Sequence, residues 1–144
     1  MPRWFALNYQ DILPTSASTK VFASYQFVKR IGEGGYGVVY SAKNVETRQW
    51  RAVKIMEKPK DFISPEDREQ DPIEREAEIL RSVDHINIVR LVDIFDEGTE
   101  MHIVMELMVE GSLHDLIVRE KHLGHYDSKV VTQQICHALA VSAP

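Results

Sequence analysis

The sequence has little of the features that mark secreted, membrane-spanning or nucleic-acid-binding proteins. Its single cysteine, Cys136, cannot form a disulfide within the chain, which indicates a reducing compartment. No apolar run approaches the roughly 18 residues of a membrane-spanning helix, and the first residues match neither a signal peptide nor a myristoylation site. Acidic residues outnumber basic ones by 22 to 17, and the net charge of −5 argues against nucleic-acid binding. We therefore expect a cytoplasmic or otherwise intracellular protein with one modest core.

Glycine is also scarce, but its distribution is uneven. Of seven glycines in the chain, four fall within residues 32–37, where Gly32, Gly34 and Gly37 form a G-x-G-x-x-G pattern. Without side chains, backbone N–H groups can approach the oxygens of a phosphate. A flexible hairpin turn would give the same pattern, so the glycines alone are a weak signal.

The residues after Gly37 favour a strand. A dinucleotide-binding fold needs a helix directly after its glycines, whereas Val38, Val39 and Tyr40 are strand formers. A turn-like stretch and a further short strand pattern follow, so the segment is predicted to be an antiparallel meander. A Rossmann oxidoreductase is therefore the weakest of the alternatives.

A helix is predicted next, with Asp71 as its N-cap and Glu74 completing a capping box. Apolar residues share one face of this helix, and Glu76 is the charged residue that falls among them. Such a carboxylate needs a partner. Lys54 is the natural one, since strand alternation places it on the same face as Ala52. The alternative is a half-exposed Glu76 that pairs with a surface arginine.

Together these features resemble a eukaryotic protein kinase domain of the serine/threonine type, closest to the calcium/calmodulin-dependent branch. The family's motifs occur in order: the glycine loop with Val39, Ala52-Val53-Lys54, Glu76, and His85-Ile86-Asn87. The resemblance covers about residues 25–140 and implies an α+β fold. Its parts would be a kinase-like N-lobe, with a five-stranded antiparallel sheet and the helix that kinases call αC, and an incomplete helical C-lobe.

The resemblance also implies a division of the chain. Residues 1–24 are expected to be a poorly ordered extension, residues 25–108 the N-lobe, and residues 109–144 the hinge exit with the first C-lobe helices. A helix over residues 126–140 is expected to carry an apolar stripe, formed by Val130, Val131, Ile135, Ala138 and Leu139. In the family this stripe packs inside the C-lobe, so here we expect association or fraying.

An ATP site is a further implication of the resemblance. Lys54 and Glu76 would form the family's lysine–glutamate pair, and Met105 would be the gatekeeper behind the adenine. The other expected ATP contacts come from the glycine loop, the adenine sandwich, the hinge and the ribose position: Ile31, Gly32, Glu33, Gly34, Gly35, Tyr36, Gly37, Val39, Ala52, Glu106, Met108 and Ser112. Ser112 replaces an acidic ribose contact that is common in kinases, so this contact is expected to be weaker.

Other kinase motifs do not occur in these 144 residues. There is no H-R-D-x-x-x-x-N, D-F-G or A-P-E, and the first two supply the catalytic aspartate and the Mg²⁺ ligands of a complete domain. No metal site is predicted, and His122 and His125 lack a third ligand. We therefore expect the ATP-binding portion of a truncated serine/threonine kinase, inactive alone, whose complete domain phosphorylates proteins. The alternative is a non-catalytic interaction module that regulates another kinase.

Overall fold

The computed structural model describes residues 19–34, 37–58 and 71–142, and within them it contains one sheet and four helices. The elements in chain order are α1 (Thr19–Ser24), β1 (Tyr25–Gly34), β2 (Gly37–Asn44), β3 (Trp50–Glu57), α2 (Pro72–Ser82), β4 (Leu91–Asp96), β5 (Glu100–Glu106), α3 (Leu113–Glu120) and α4 (His125–Ser142). Gly35, Tyr36 and residues 1–18 of the expected extension lie outside the described residues. No helix in the described ranges has the length and apolarity to cross a membrane.

The sheet has five antiparallel strands in the order β1-β2-β3-β5-β4, which confirms the predicted architecture. Strand β2 begins at Gly37, where a Rossmann unit would begin a helix, so the oxidoreductase alternative is wrong. Gly37 itself has a φ of +142°, and a Cβ there would collide with the carbonyl oxygen of Ile55 in β3. A glycine is thus needed at this position for the hairpin to pack, whatever the hairpin binds.

One face of the sheet packs against α2. Its core combines strand and helix residues: Met56, Met101, Ile103, Ile73 and Ala77, all nearly or fully inaccessible. Leu80 and Leu91, on α2 and β4, pack against the same cluster. Each buried aliphatic side chain of this kind stabilises the fold by about 1.5–3 kcal/mol. This core fixes where α2 lies against the strands.

The opposite face of the sheet packs against α1. These residues belong to the segment that the sequence predicts to be a poorly ordered extension. Val21 is fully buried there, in a cluster with Tyr25, Phe27 and Val104 among others. The ring of Phe22 lies 4.8 Å from that of Phe27, centroid to centroid. Residues 19–24 therefore belong structurally to the sheet, because the outer face of the strands is as apolar as the inner one.

The start of α2 agrees with the predicted cap only in part. The Asp71 carboxylate accepts a hydrogen bond of 2.9 Å from the Ile73 N–H, as an N-cap should. Glu74, expected to complete a capping box, instead lies 2.7 Å from the Lys58 ammonium. The Lys58 ammonium attracts the carboxylate with a full positive charge, which a neutral backbone N–H lacks. The reciprocal half of the capping box is therefore wrong.

The predicted C-terminal helix is present as α4, one residue longer than expected at its start and two residues longer at its end. None of its residues is buried by the described part of the chain. Of the predicted apolar stripe, Ile135 is 49% and Leu139 63% exposed, whereas Val130, Val131 and Ala138 are partly covered. The outer half of the stripe therefore faces solvent.

Candidate functional site

Several predicted site residues meet on the sheet face that carries α2. The register pairs Val39 with both Gly32 and Lys54, and it pairs Ala52 with Met105. Directly opposed residues of antiparallel strands point to the same face. A small side chain, a cation and a glycine hairpin thus lie side by side on one surface.

The centre of this surface is an ion pair between β3 and α2. The Lys54 ammonium donates to both carboxylate oxygens of Glu76, at 2.7 and 2.9 Å. The two side chains are 19% and 36% exposed, so the pair is partly hydrated and contributes less than a dry pair would. The pairing inferred from the sequence is present, and the alternative of a surface arginine partner for Glu76 is wrong.

The glycine hairpin has free space beside Gly34. Gly34 pairs with Gly37 across β1 and β2, and a Cβ added to Gly34 would meet no atom within 4 Å in the described structure. Glu33 is exposed and forms an ion pair with Arg30. Ile31 lies at a bulge in β1, where the register has shifted, and is 46% exposed. The hairpin therefore leaves room beside Val39 for a ligand.

The end of β5 is tied to the segment before β4. The Glu106 N–H donates to the Arg90 carbonyl at 3.0 Å, and the Arg90 N–H donates to the Glu106 carboxylate at 2.8 Å. Met105, one residue earlier, packs against the α2-side core. Met108 is 57% exposed. The Glu106 side chain thus has a structural partner, which leaves the backbone of residues 106–108 as the part suited to a ligand.

Ser112, expected at the ribose position, is the N-cap of α3. Its hydroxyl donates to the Asp115 carboxylate at 2.6 Å and accepts from the Asp115 N–H at 3.1 Å. The hydrogen bonds from the Ser112 hydroxyl and N–H lower the pKa of Asp115. With these bonds intact the hydroxyl has no proton left to donate to a ribose and keeps one position that can accept a hydrogen bond. The Ser–x–x–Asp spacing in the sequence was the signal for the capping role.

A second cation near the site was missed in the sequence. Lys58, at the end of β3, lies 2.7 Å from Glu74 of α2 and 3.0 Å from Asp96 of β4. It follows Lys54 by four positions, so strand alternation places both lysines on the same face. The four-residue spacing was the signal in the sequence for Lys58, but the capping-box pattern predicts a different partner for Glu74.

The described residues contain no group of three His, Cys, Asp or Glu side chains that could hold a metal ion. The carboxylates of Glu76 and Glu74 are paired with Lys54 and Lys58. These residues therefore do not fit a Mg²⁺ ion as its protein ligands. The arrangement instead presents a cation and open backbone, which suit an anionic ligand.

Comparison with known proteins identifies the fold. The family model for the protein kinase domain matches residues 25–141. Over 80% of its length the chain is 32% identical to a probable myosin light chain kinase of Dictyostelium discoideum, of which it covers 34%. It is also 32% identical, over 80% of its length, to the serine/threonine-protein kinase cds1 of Schizosaccharomyces pombe, of which it covers 25%.

A solved kinase structure is also similar. The crystal structure of Rad53 residues 1–466 in complex with AMP-PNP superposes with a TM-score of 0.69 at 26% identity, over 83% of this chain and 30% of that one. The chain thus spans about a third or less of the length of each of these relatives. From the matched family model, the sheet order and the helix α2, the chain belongs to the protein kinase domain family, and the described sheet with α2 is its N-lobe portion.

Proposed function

We propose that this lobe binds ATP and is the nucleotide-binding part of a protein serine/threonine kinase. The complete domain would transfer a phosphoryl group from ATP to serine or threonine in a protein substrate. The observation that supports this most directly is the Lys54–Glu76 pair, with both oxygens of the carboxylate engaged, beside an open glycine hairpin. A lysine oriented in this way can contact nucleotide phosphates as a fixed cation.

The remaining contacts follow from the positions of the side chains. Val39, Ala52 and Met105 would enclose the adenine, and the backbone of residues 106–108 would pair with its edge. Ile31 and Glu33, at and after the β1 bulge, would border the opening. Gly35 and Tyr36, which lie outside the described residues, are proposed as further contacts from the sequence alone. ATP supplies the reactive phosphoryl group. The role of the lobe is to bind and orient it through fixed hydrogen-bond donors and charges.

For the 144-residue polypeptide we propose nucleotide binding without phosphoryl transfer. Its sequence contains neither the family's catalytic aspartate motif nor its metal-binding motif. Without a base to orient the protein hydroxyl and without ligands for Mg²⁺, the electrostatic stabilisation of the transferred group is missing. Binding should also be weak and should depend little on Mg²⁺.

A titration with a fluorescent ATP analogue tests this proposal. Lys54→Met should weaken binding by about tenfold, since it removes a charged hydrogen-bond donor to the phosphates. Lys20→Met is the matched control, because Lys20 is exposed on α1, which packs on the other face of the sheet. Equal affinities of the Lys54→Met variant and the unaltered chain would refute the nucleotide site. Phosphate incorporation that depends on Lys54 would refute the proposed inactivity.

A second candidate function is a kinase-like interaction module that binds and regulates another kinase. The observation that favours it is the exposed apolar side of α4, where Ile135 and Leu139, one turn apart, are 49% and 63% exposed. Exposed apolar side chains on one helix are typical of protein contacts. This candidate would be favoured if Lys54→Met bound nucleotide as tightly as the unaltered chain and if the monomeric chain bound another kinase.

A further inference from the structure

We propose that Lys58 is a positioning residue that sets the orientation of α2 and so keeps Glu76 within reach of Lys54. Lys58 does not contact Glu76 and is not part of the proposed phosphate contact. The inference deepens the proposed function and depends on it, because the orientation of Glu76 matters for nucleotide binding only if Lys54 contacts ATP.

The contacts of Lys58 join three elements. Its ammonium lies 2.7 Å from Glu74 Oε1 in the first turn of α2 and 3.0 Å from Asp96 Oδ2 at the end of β4. The Lys58 side chain is 13% exposed and that of Glu74 24%, so both are better shielded from water than the Lys54–Glu76 pair. Lys58 also donates its backbone N–H to the Thr99 carbonyl at 2.9 Å, which fixes the base of its side chain. The cation is thus anchored on the sheet side and holds the helix through Glu74.

Glu74 and Glu76 lie on opposite flanks of the helix face that is buried. With about 100° per residue, the direction midway between Ile73 and Ala77 is separated from Glu74 by roughly 80° on one side and from Glu76 by roughly 80° on the other. Rotation of α2 about its axis in either direction therefore pulls one glutamate away from its lysine. The two ion pairs therefore limit the rotation of α2 in both directions.

The two lysines are also separated along the chain direction of β3: Lys54 lies in the strand and Lys58 directly follows its last residue, Glu57. Four residues of a strand correspond to about 13 Å. The Lys58–Glu74 pair holds the first turn of α2, and the Lys54–Glu76 pair holds the helix at a second point of the sheet. Two such contacts fix the angle between helix and sheet, which a single pair cannot do.

The charge state of Lys58 is consistent with this role. Burial acts to lower the pKa of Lys58, but hydrogen bonds and charges from Glu74 and Asp96 outweigh it and raise the pKa above its ordinary value. The ammonium therefore stays charged across the physiological pH range, and its charge in the contacts with Glu74 and Asp96 does not depend on pH there.

A mutant cycle built in two backgrounds tests the proposal on the 144-residue chain. The coupling between Lys54 and Glu76 is measured from urea unfolding of Lys54→Met, Glu76→Gln and the double variant, first in the unaltered chain and then in Lys58→Met. If Lys58 positions α2, its loss should reduce that coupling to roughly half or less, although it touches neither residue. Lys58→Arg should restore the coupling, because a guanidinium can bond both carboxylates. Lys20→Met is the matched control background and should leave the coupling unchanged.

A merely stabilising role gives a different result. In that case Lys58→Met lowers the stability of all variants equally and leaves the Lys54–Glu76 coupling intact, which would overturn the proposal. If Lys58→Met does not fold, a milder variant decides the question: Glu74→Gln, with Arg75→Gln as its exposed neighbour control. Spin labels at exposed Glu57 and Glu78, in a Cys136→Ser chain, then report the distance between β3 and α2. A broader distance distribution in Glu74→Gln supports the proposal, and an unchanged one refutes it.

An ATP titration of the same variants separates the inference from the proposed function. Reduced coupling together with an affinity for ATP about threefold weaker in Lys58→Met supports both. Absence of ATP binding by the unaltered chain refutes the proposed function, and the coupling then still decides whether Lys58 orients Glu76.

Discussion

His102 shows how strongly burial governs a single side chain in this lobe. The residue is fully buried in β5, with Ile55 and Phe95 as its register partners. Its Nε2 lies 3.3 Å from Glu100 Oε2, yet neither ring nitrogen makes a hydrogen bond within the described structure. Burial lowers the pKa of His102, and the negative charges of Glu100 and Glu97 offset this only partly. The folded chain therefore favours the neutral imidazole.

This burial predicts a stability that depends on pH. Between the ordinary histidine pKa of about 6.5 and the lower folded value, the unfolded chain binds a proton that the folded chain does not. Stability should thus be full above about pH 6.5 and should fall as the pH drops through that window. Urea unfolding at a series of pH values measures it, and His102→Gln should flatten the curve.

The matched control for that measurement is His122→Gln, at an exposed histidine. Its pH dependence should follow that of the unaltered chain. A His102→Gln curve with the original slope would show that other groups cause the loss of stability in acid.

The two lysine–glutamate contacts also show what residue-level reasoning can and cannot find. Lys54–Glu76 was predictable because a carboxylate on an apolar helix face requires a partner, and Lys54 lies within a predicted strand on the same face as Ala52. Glu74 had two competing explanations, a cap and an ion pair, and local sequence favours the cap. In the structure Glu74 forms the ion pair, because the tertiary fold brings Lys58 within reach of its carboxylate.

At the scale of elements, the strands were predicted better than their ends. The alternating pattern of residues 25–31 predicts a first strand that ends at Ile31. In the structure β1 continues to Gly34, because glycine residues can pair with β2 even though they are poor strand formers. The apolar pattern of residues 88–95 predicts a strand that begins at Ile88. In the structure His85 organises a turn there: its Nδ1 accepts from the Asn87 N–H at 3.1 Å, and β4 starts at Leu91.

Helix α1 was not predicted, and the reason is physical. Six residues are too few for an apolar periodicity, and isolated helices of this length are unstable in water. The helix exists because the outer sheet face is apolar and covers Val21 and Phe22. Only knowledge of both sheet faces would have revealed it.

The same packing predicts the effect of a substitution in α1. Val21→Ala removes two buried methyl groups and should destabilise the chain by about 1.5–3 kcal/mol. Val118→Ala, at a position that is 64% exposed, should change stability by less than about 0.5 kcal/mol. Urea unfolding of both variants measures the difference. Equal stability of the two variants would mean that α1 does not dock in solution.

At the scale of the whole molecule, the exposed side of α4 should govern solubility. Replacing Ile135 and Leu139 by glutamine removes two large apolar surfaces without changing the helix pattern. The variant should remain monomeric at concentrations where the unaltered chain associates, and its ATP affinity should not change. Deletion of residues 122–144 should have the same effect on solubility. Light scattering against concentration measures the association.

A matched control is Gln133→Glu with Gln134→Lys, which alters exposed polar residues of the same helix. It should associate like the unaltered chain. A monomeric unaltered chain whose residues 126–140 resist hydrogen exchange would contradict the prediction, because it would show that α4 docks on another surface.

The strand order has a consequence for how the lobe assembles. Strands β1, β2 and β3 pair with their neighbours in sequence, and so do β4 and β5, whereas the β3–β5 pairing closes a long intervening segment that includes α2. Local hairpins form quickly, and the entropy of closing a longer loop delays the contact between distant segments. Ala52 and Met105 face each other across that late seam. The proposed adenine pocket therefore forms only when β3 pairs with β5, so nucleotide binding would be a measure of complete folding.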